Sequence, residues 1–453
     1  MNGQSSKLLI STIQEKKALM YIDETTFVNW QLQYGETLSI KAGQRSIEIA
    51  VESFSSTSRE CKLSSFTSQY LTLPPFTHPI SVTFLPSTKT VIIGPFLALL
   101  TNQSLLTDGT FGEMDVFFQE MHTYSTTLGI PFYLTTLQSL ESEVITGYWL
   151  HENGWEPCVL PFPSVLYNRI HSRRLERTDR FEQFTAHLQA KKIPFFNTRF
   201  LSKWEVHEML IQDESLQPHL PDTISFGARE AFYSFLQHHA VIYVKPIFGS
   251  QGKHIGKATK LEKGWLFEHS GNTQDTHFVQ SEAELFFYLK KFCKQRSFII
   301  QKGIPLLEWE QKKVDFRILL HQTKEDVWKV TSAVARIGDT GHIVSNIARG
   351  AEMKNGIQFL KERFDRQQAI HLYHTLTHLA KKTAHSLDQQ HEGLLGELGI
   401  DLALDEQFHP WIIEVNSKPS KRFDGTRDKL RPSVRALIDY MSTLHHTLKN
   451  EGR

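Results

Sequence analysis

Cysteine is scarce: Cys61, Cys158 and Cys293 are the only three in 453 residues. An odd number of widely separated thiols supports neither a disulfide framework nor a zinc ribbon, so reduced thiols in a cytosolic compartment are expected. Charge of one sign is missing too, since 50 Lys and Arg face 49 Asp and Glu and leave a net charge of +1. A chain so balanced has no broad positive field with which to hold a polyanion, and no nucleic acid is expected as a partner. Long apolar runs are absent as well. The most apolar stretch, Val91 to Leu100, is interrupted by Gly94 and Pro95, and it falls far short of the roughly 20 residues that span a bilayer. The opening MNGQSSKLLISTIQEKK carries no apolar segment of signal-peptide length and no small-residue cleavage site. A cytoplasmic location without a membrane span is the expectation.

What is present, 40% hydrophobic and 22% charged residues, excludes disorder and collagen-like repeats. The length suits about three domains, each able to bury its own core. Residues 1–90, rich in Ser and Thr, alternate in short runs such as Thr37-Leu38-Ser39-Ile40 and Ser46 to Val51, the pattern of a small β domain. Residues 91–180 read strand, helix, strand: an apolar run from Val91, an amphipathic helix from about Glu113 to Leu128, then Ile130 to Leu134. That is the grammar of an α/β unit. The third domain, 181–445, has a hinged lobe at about 220–300 and carries the chemistry. No internal repeat of fixed period is apparent.

Val241 to Pro246 reads as a strand carrying Lys245, and it runs into Gly249-Ser250-Gln251-Gly252. Glycines at 249 and 252 permit positive φ and close backbone approach, so successive N–H groups could cradle phosphate oxygens while Lys245 supplies a point charge. The loop fits neither the P-loop pattern nor G-x-G-x-x-G, and an ordinary exposed hairpin remains open. Gly399 to Leu404 and Trp411 to Asn416 read as a second hairpin. Glu414 and Asn416 share a strand face, and the pairing can bring Asp401 beside them. Three oxygen donors on one face suit Mg²⁺. Structural ion pairs are the alternative.

In this order and spacing, the pieces resemble the ATP-grasp superfamily. Ser297-Phe298-Ile299-Ile300-Gln301-Lys302-Gly303-Ile304 resembles its adenine hinge. Val314-Asp315-Phe316-Arg317 resembles the D-x-R strand of the branch that includes glutathione synthetase. Ala335-Arg336 and Ser345-Asn346-Ile347-Ala348-Arg349-Gly350 are similar to that branch's paired R and N-x-x-R-G elements. Ile92-Ile93-Gly94-Pro95 and the hinge together make the whole chain similar to the YheC/YheD family, endospore coat-associated proteins of spore-forming bacilli.

The resemblance implies an α+β and α/β multidomain chain: an ATP-grasp fold, a pre-ATP-grasp α/β domain and a small N-terminal β domain. By the same resemblance Lys203, Lys245, Gly249, Ser250, Gln251 and Gly252 meet the phosphates of ATP, and Gln301, Lys302, Gly303 and Ile304 meet the adenine. Asp315, Glu308 or Glu310 meets the ribose. Asp401, Glu414 and Asn416 hold Mg²⁺, and Arg317, Arg336, Asn346 and Arg349 act on the transferred group. The implied activity is carboxylate–amine ligation through an acyl phosphate during spore coat formation, on small-molecule or peptide substrates. The alternative is a nucleotide-binding coat or assembly protein without catalysis, with spore coat proteins as partners; phosphotransfer to an alcohol has no distinguishing residue. Gly399 stands where D-alanine ligases carry Arg, which disfavours that ligation.

Three further features read as structure. His371, His374, His378 and His385 share one face of a helix from about Arg366 to Gln389, opposite Ile370, Tyr373, Leu376, Leu379 and Leu387, and read as a solvated face. Arg169, Arg173, Arg174, Arg177 and Arg180 read as a solvated helix surface. Phe195, Phe196 and Phe200 read as core.

Overall fold

The computed structural model describes residues 3–137, 144–249, 254–269, 276–294, 296–324, 327–338, 352–421 and 429–451. It divides into two compact units, Met1–Arg199 with Ser420–Arg453, and Phe200–Pro419.

The first unit begins with a closed barrel built from β1 (Gln4–Ile13), β2 (Leu19–Asp23), α1 (Glu24–Asn29), β3 (Thr37–Ala42), β4 (Arg45–Phe54), β5 (Glu60–Ser64), α2 (Ser65–Tyr70), β6 (Ile80–Leu85) and β7 (Thr90–Ile93). Alternation turns Leu8, Ile10, Leu38, Ile40, Val82 and Phe84 inward. Contrary to the sequence reading, the barrel has an internal repeat. Gln4 and Arg45, Leu19 and Glu60, and Glu24 and Ser65 open matching elements separated by one interval. The parallel pairing repeats in the same register, Leu9 opposite Glu60 in one half and Ala50 opposite Leu19 in the other.

Next comes a mixed sheet, β8 (Leu97–Leu100), β9 (Phe132–Thr135), β10 (Val144–His151), β11 (Gly154–Pro161), β12 (Val165–Asn168) and β13 (Phe195–Phe196), in the order β11-β10-β9-β8-β12-β13. One face packs α3 (Asp115–Thr127) and the C-terminal helix Pro432–Glu451; the other packs α4 (Asp179–Ala190). The C-terminal helix therefore groups here, whereas the sequence reading placed it in the third domain, 181–445. The cause is apolar: Val434, Leu437, Ile438 and Met441 are buried in one cluster with Phe117, Phe118 and Met121. The arginine-rich stretch is a solvated helix surface only in part. Arg174, Arg177 and Arg180 are exposed, and Arg180 lies on α4, but the segment before α4 forms the short 3-10 turn Leu175–Arg177, and Arg169 is 1% exposed with Nη2 2.9 Å from His171 Nε2.

The second unit opens with α5 (Lys203–Leu210), whose Ser202 and Glu205 form a reciprocal capping box. A six-stranded sheet follows, β14 (Thr223–Ser225), β15 (Val241–Pro246), β16 (Gly256–Leu261), β17 (Gly264–His269), β18 (Thr276–Val279) and β19 (Phe298–Lys302), ordered β14-β19-β15-β16-β17-β18. Its core side packs α6 (Arg229–His238) and α7 (Glu282–Cys293) onto Ile242, Val244 and Ile300.

The larger sheet has the order β23-β22-β21-β24-β25, with β20 (Glu308–Trp309) on β21. Its strands are β21 (Lys312–Lys324), β22 (Val327–Ile337), β23 (Glu352–Asn355), β24 (Glu397–Leu404) and β25 (Pro410–Asn416), and it is covered by α8 (Gly356–Lys361) and α9 (Arg366–Gln390). Val314, Phe316, Ile318 and Leu320 of β21 bury under α9 against Leu376 and Leu379. Alternation then sends Asp315 and Arg317 to the opposite face. On α9 the histidine face is exposed as read, but Ile370 lies outside the buried stripe, which Ala369, Leu372, Leu376, Leu379 and Leu387 form.

Candidate functional site

The face opposite α9 carries a row of charges, because residues directly opposite each other in antiparallel strands share a face. Asp315 pairs with Arg336 and Arg317 with Asp401. Asp401 in turn pairs with Glu414, and Gly399 with Asn416. The expected hairpin of β24 and β25 thus brings together all three residues assigned to the metal, with a register shift after Asp401.

Each acid in the row meets a basic group. Arg317 holds Asp401 through Nε to Oδ1 and through Nη2 to Oδ2 at 2.8 Å, and Arg336 Nη2 lies 3.0 Å from the same Oδ2. Arg336 also forks onto Asp315, through Nε to Oδ1 and Nη2 to Oδ2 at 2.7 Å. Burial by itself would raise the Asp401 carboxyl, but the charges of Arg317 and Arg336 outweigh it and hold the group below its ordinary range. Burial likewise opposes the charge on Arg336, and Asp401 and Asp315 reverse that and hold it firmly protonated.

Glu414 meets Lys203, whose Nζ lies 2.9 Å from Oε1 and 3.2 Å from Gly249 O. Lys245, on the smaller sheet, donates to Gln301 Oε1 at 2.5 Å, and Gln301 Nε2 donates to Thr223 Oγ1 at 3.0 Å. Burial lowers the Lys245 pKa to about 8, Lys203 adding to the effect and Glu414 opposing it. One cavity is lined by Lys203, Thr223, Lys245, Gln301 and Glu414. Its lining also includes the apolar Leu220, Ile299 and Ile412, the mixture of polar and apolar groups that ligand cavities share.

Several sequence readings change. Asp315, assigned to ribose, is buried and bidentate to Arg336, because it faces β22 within the charge row. Arg336 is correspondingly shut in, at 5% side-chain exposure. The amides of Lys302 and Gly303 bond to Asp222 O at 2.9 Å and Val241 O at 2.8 Å, so the sheet already uses two of the donors expected to read a base. Gly249 is not among the positive-φ glycines; a Cβ there would lie 2.7 Å from Pro246 Cγ, so close approach explains it. Ser250, Gln251, Gly252, Asn346 and Arg349 lie outside the described residues. Thr223 was missed, because a three-residue edge strand has no periodicity to find. Lys313 was missed too, and its Nζ reaches Tyr243 OH at 3.3 Å; its place two residues before Asp315, on the same strand face, was the available signal.

The donor set suits a hard divalent cation in kind: two carboxylates and an amide. Asn416 adds a buried Nδ2 that has no hydrogen-bond partner among the described residues. Both carboxylates nevertheless lie on basic side chains, and among the described residues no three of His, Cys, Asp and Glu are grouped to hold a metal.

A family profile described as YheC/D like ATP-grasp matches residues 192–444, more than half of the chain. This chain belongs to the YheC/D-like ATP-grasp family. Its ATP-grasp fold comprises the two sheets of the second unit, with the charge row on the larger one. Among relatives, the endospore coat-associated protein YheD of Bacillus subtilis (strain 168) is 27% identical over 340 residues, which cover 73% of this chain and 74% of YheD. The endospore coat-associated protein YheC of the same strain is 23% identical over 278 residues, covering 61% of this chain and 76% of YheC. Among solved structures, D-alanyl-alanine synthetase A from Vibrio cholerae O1 biovar eltor str. N16961 has a TM-score of 0.47 at 11% identity, covering 78% of this chain and 99% of that one. That likeness is too slight to carry an activity across. Among the described residues, no helix of this ATP-grasp protein is long and apolar enough to cross a membrane.

Proposed function

We propose that this protein binds Mg-ATP and joins a carboxylate to an amine through an acyl phosphate, in the service of spore coat formation. The observation that carries the reading is the facing of Lys203 and Lys245 onto Glu414 beside the Asp401–Arg317–Arg336 group. Lys203 and Lys245 would take phosphate oxygens. A carboxylate oxygen of the substrate attacks the γ-phosphorus, the bond to the β-phosphate oxygen breaks, and ADP leaves. The amine then attacks the acyl carbon, the bond to phosphate breaks, and the proton from nitrogen passes to solvent. Arg317, whose planar fork matches an acyl phosphate better than an ammonium would, is the more exposed of the two arginines in the row, at 21% against 5% for Arg336, and Arg349 is proposed to act with it. Asp401, Glu414 and Asn416 would hold Mg²⁺, which offsets phosphate charge during transfer.

The substrates would be small carboxylates and amines or peptides, and the site of action the cytoplasm, with spore coat proteins as partners; the names of YheD and YheC motivate the coat association. The test is ADP and phosphate release that requires a carboxylate and an amine together and is lost in Glu414→Gln. A second reading, a nucleotide-binding coat protein without catalysis, draws on the internal neutralisation of both acids. It requires ATP binding with no release on any substrate pair.

A further inference from the structure

Asp401 has about four lone-pair sites to offer, and three are taken, two by Arg317 and one by Arg336. A divalent cation on this carboxylate would also sit against two guanidinium charges. The two arginines are not equally fixed. Arg336 is gripped from behind by both oxygens of Asp315 and is 5% exposed, whereas Arg317 is 21% exposed and, among the described residues, bonds through its guanidinium to Asp401. Gly399 lies against its stem and is itself covered by Pro419: a Cβ at 399 would stand 3.5 Å from Arg317 Cδ and 2.8 Å from Pro419 Cβ, so β24 has no room at this position for a polar side chain that could hold the guanidinium.

We propose that Arg317 is a displaceable internal counter-ion of Asp401: a divalent cation binds by taking the carboxylate from Arg317, and the released guanidinium becomes the receptor for the anionic substrate. The inference rests on the Mg-ATP reading and deepens it by fixing an order, cation and nucleotide before carboxylate. Arg336 stays in place, because moving it would strand Asp315 and Asp401 together in a buried site. Before cation arrival the guanidinium of Arg317 is committed, so a carboxylate substrate meets a closed receptor.

Mn²⁺ titrated into the full chain without nucleotide, followed by loss of the free aquo-ion EPR signal, tests this directly. Arg317→Met is expected to bind Mn²⁺ at least about tenfold more tightly than the wild type, since it removes the competing charge. Arg317→Lys should fall between the two, an ammonium lacking the fork. The gain should vanish in Arg317→Met/Asp401→Asn. Equal or weaker Mn²⁺ binding in Arg317→Met, or a gain that survives loss of Asp401, overturns the proposal. Should Arg317→Met fail to melt cooperatively by circular dichroism, Arg317→Lys decides, and an unchanged Mn²⁺ affinity there overturns it. A fluorescent ATP analogue is titrated separately into wild type and Lys245→Met. No analogue binding to the wild type would sink the nucleotide reading, while the Mn²⁺ series still decides the role of Arg317.

Discussion

Lys245 shows how a single residue ties pH to function. Burial drives its pKa down to about 8, with Lys203 assisting, so the ammonium that would face phosphate is present below that pH and lost above it. Nucleotide affinity should therefore fall as pH rises beyond about 8, by up to roughly tenfold per unit. Lys245→Arg, always charged, should flatten the profile. Titration of an ATP analogue between pH 7 and 9.5 reads both, and a flat wild-type profile would remove Lys245 from the phosphate site. Stability runs the other way. The folded pKa lies below the unfolded value near 10.4, so the charged lysine costs stability at neutral pH, and the cost is relieved as pH rises from about 8 towards 10.4. Lys245→Met should accordingly melt roughly 2–4 °C higher than the wild type at pH 7 while losing nucleotide, and a lower melting temperature would show that the bond to Gln301 outweighs the burial of charge.

At the scale of elements, the pieces with strong periodicity were legible and those built from register were not. Asp401, Glu414 and Asn416 could be placed on one hairpin face by spacing, and the Arg366–Gln390 helix by its apolar stripe. The barrel repeat escaped because its halves share burial and hydrogen bonding but few residues, Thr26 and Thr67 among them. Asp23 caps α1 by accepting from Thr26 N at 2.9 Å, and Ser64 caps α2 by accepting from Thr67 N at 3.2 Å; Trp30 closes the first helix and Leu71 the second. A repeat written in backbone geometry leaves little for a comparison of letters to find. Each cap also serves the neighbouring strand. Asp23 Oδ2 accepts from Glu60 N at 3.2 Å and Ser64 Oγ from Leu19 N at 3.4 Å, so both halves tie β2 to β5. The caps differ in chemistry: one hydroxyl oxygen serves both amides at Ser64, whereas the Asp23 carboxylate gives each its own oxygen. Ser64→Ala should cost about 1 kcal/mol, a usual value for losing a cap, and Asp23→Ala more, because bonds to a carboxylate are the stronger. Denaturant midpoints of the two variants check the order, and equal losses would mean that the carboxylate charge contributes nothing.

Across the whole molecule, the charge row and the C-terminal helix both depend on residues far apart in the chain. Each acid of the row was visible as an acid among apolar neighbours, but its partner comes from another strand: Arg317 from β21 for Asp401, Lys203 from α5 for Glu414. Spacing within one segment cannot report such pairs. The same limit hid the return of Pro432–Glu451 to the first unit, where Tyr440 meets Phe196 edge-on at 5.2 Å and Leu437 is fully buried. The division of the chain makes a local prediction. Leu437→Ala should cost about 2–5 kcal/mol, the range for truncating a buried leucine, and the loss should appear in the elements that share its cluster. In hydrogen exchange read by mass spectrometry, peptides from Asp115–Thr127 should lose protection. Peptides covering Glu397–Asn416, which belong to the other unit, should keep theirs, since cooperative units open separately. Loss of protection in both would mean that the units unfold as one body, and the helix would then belong to the stability of the charge row as much as to the sheet it covers.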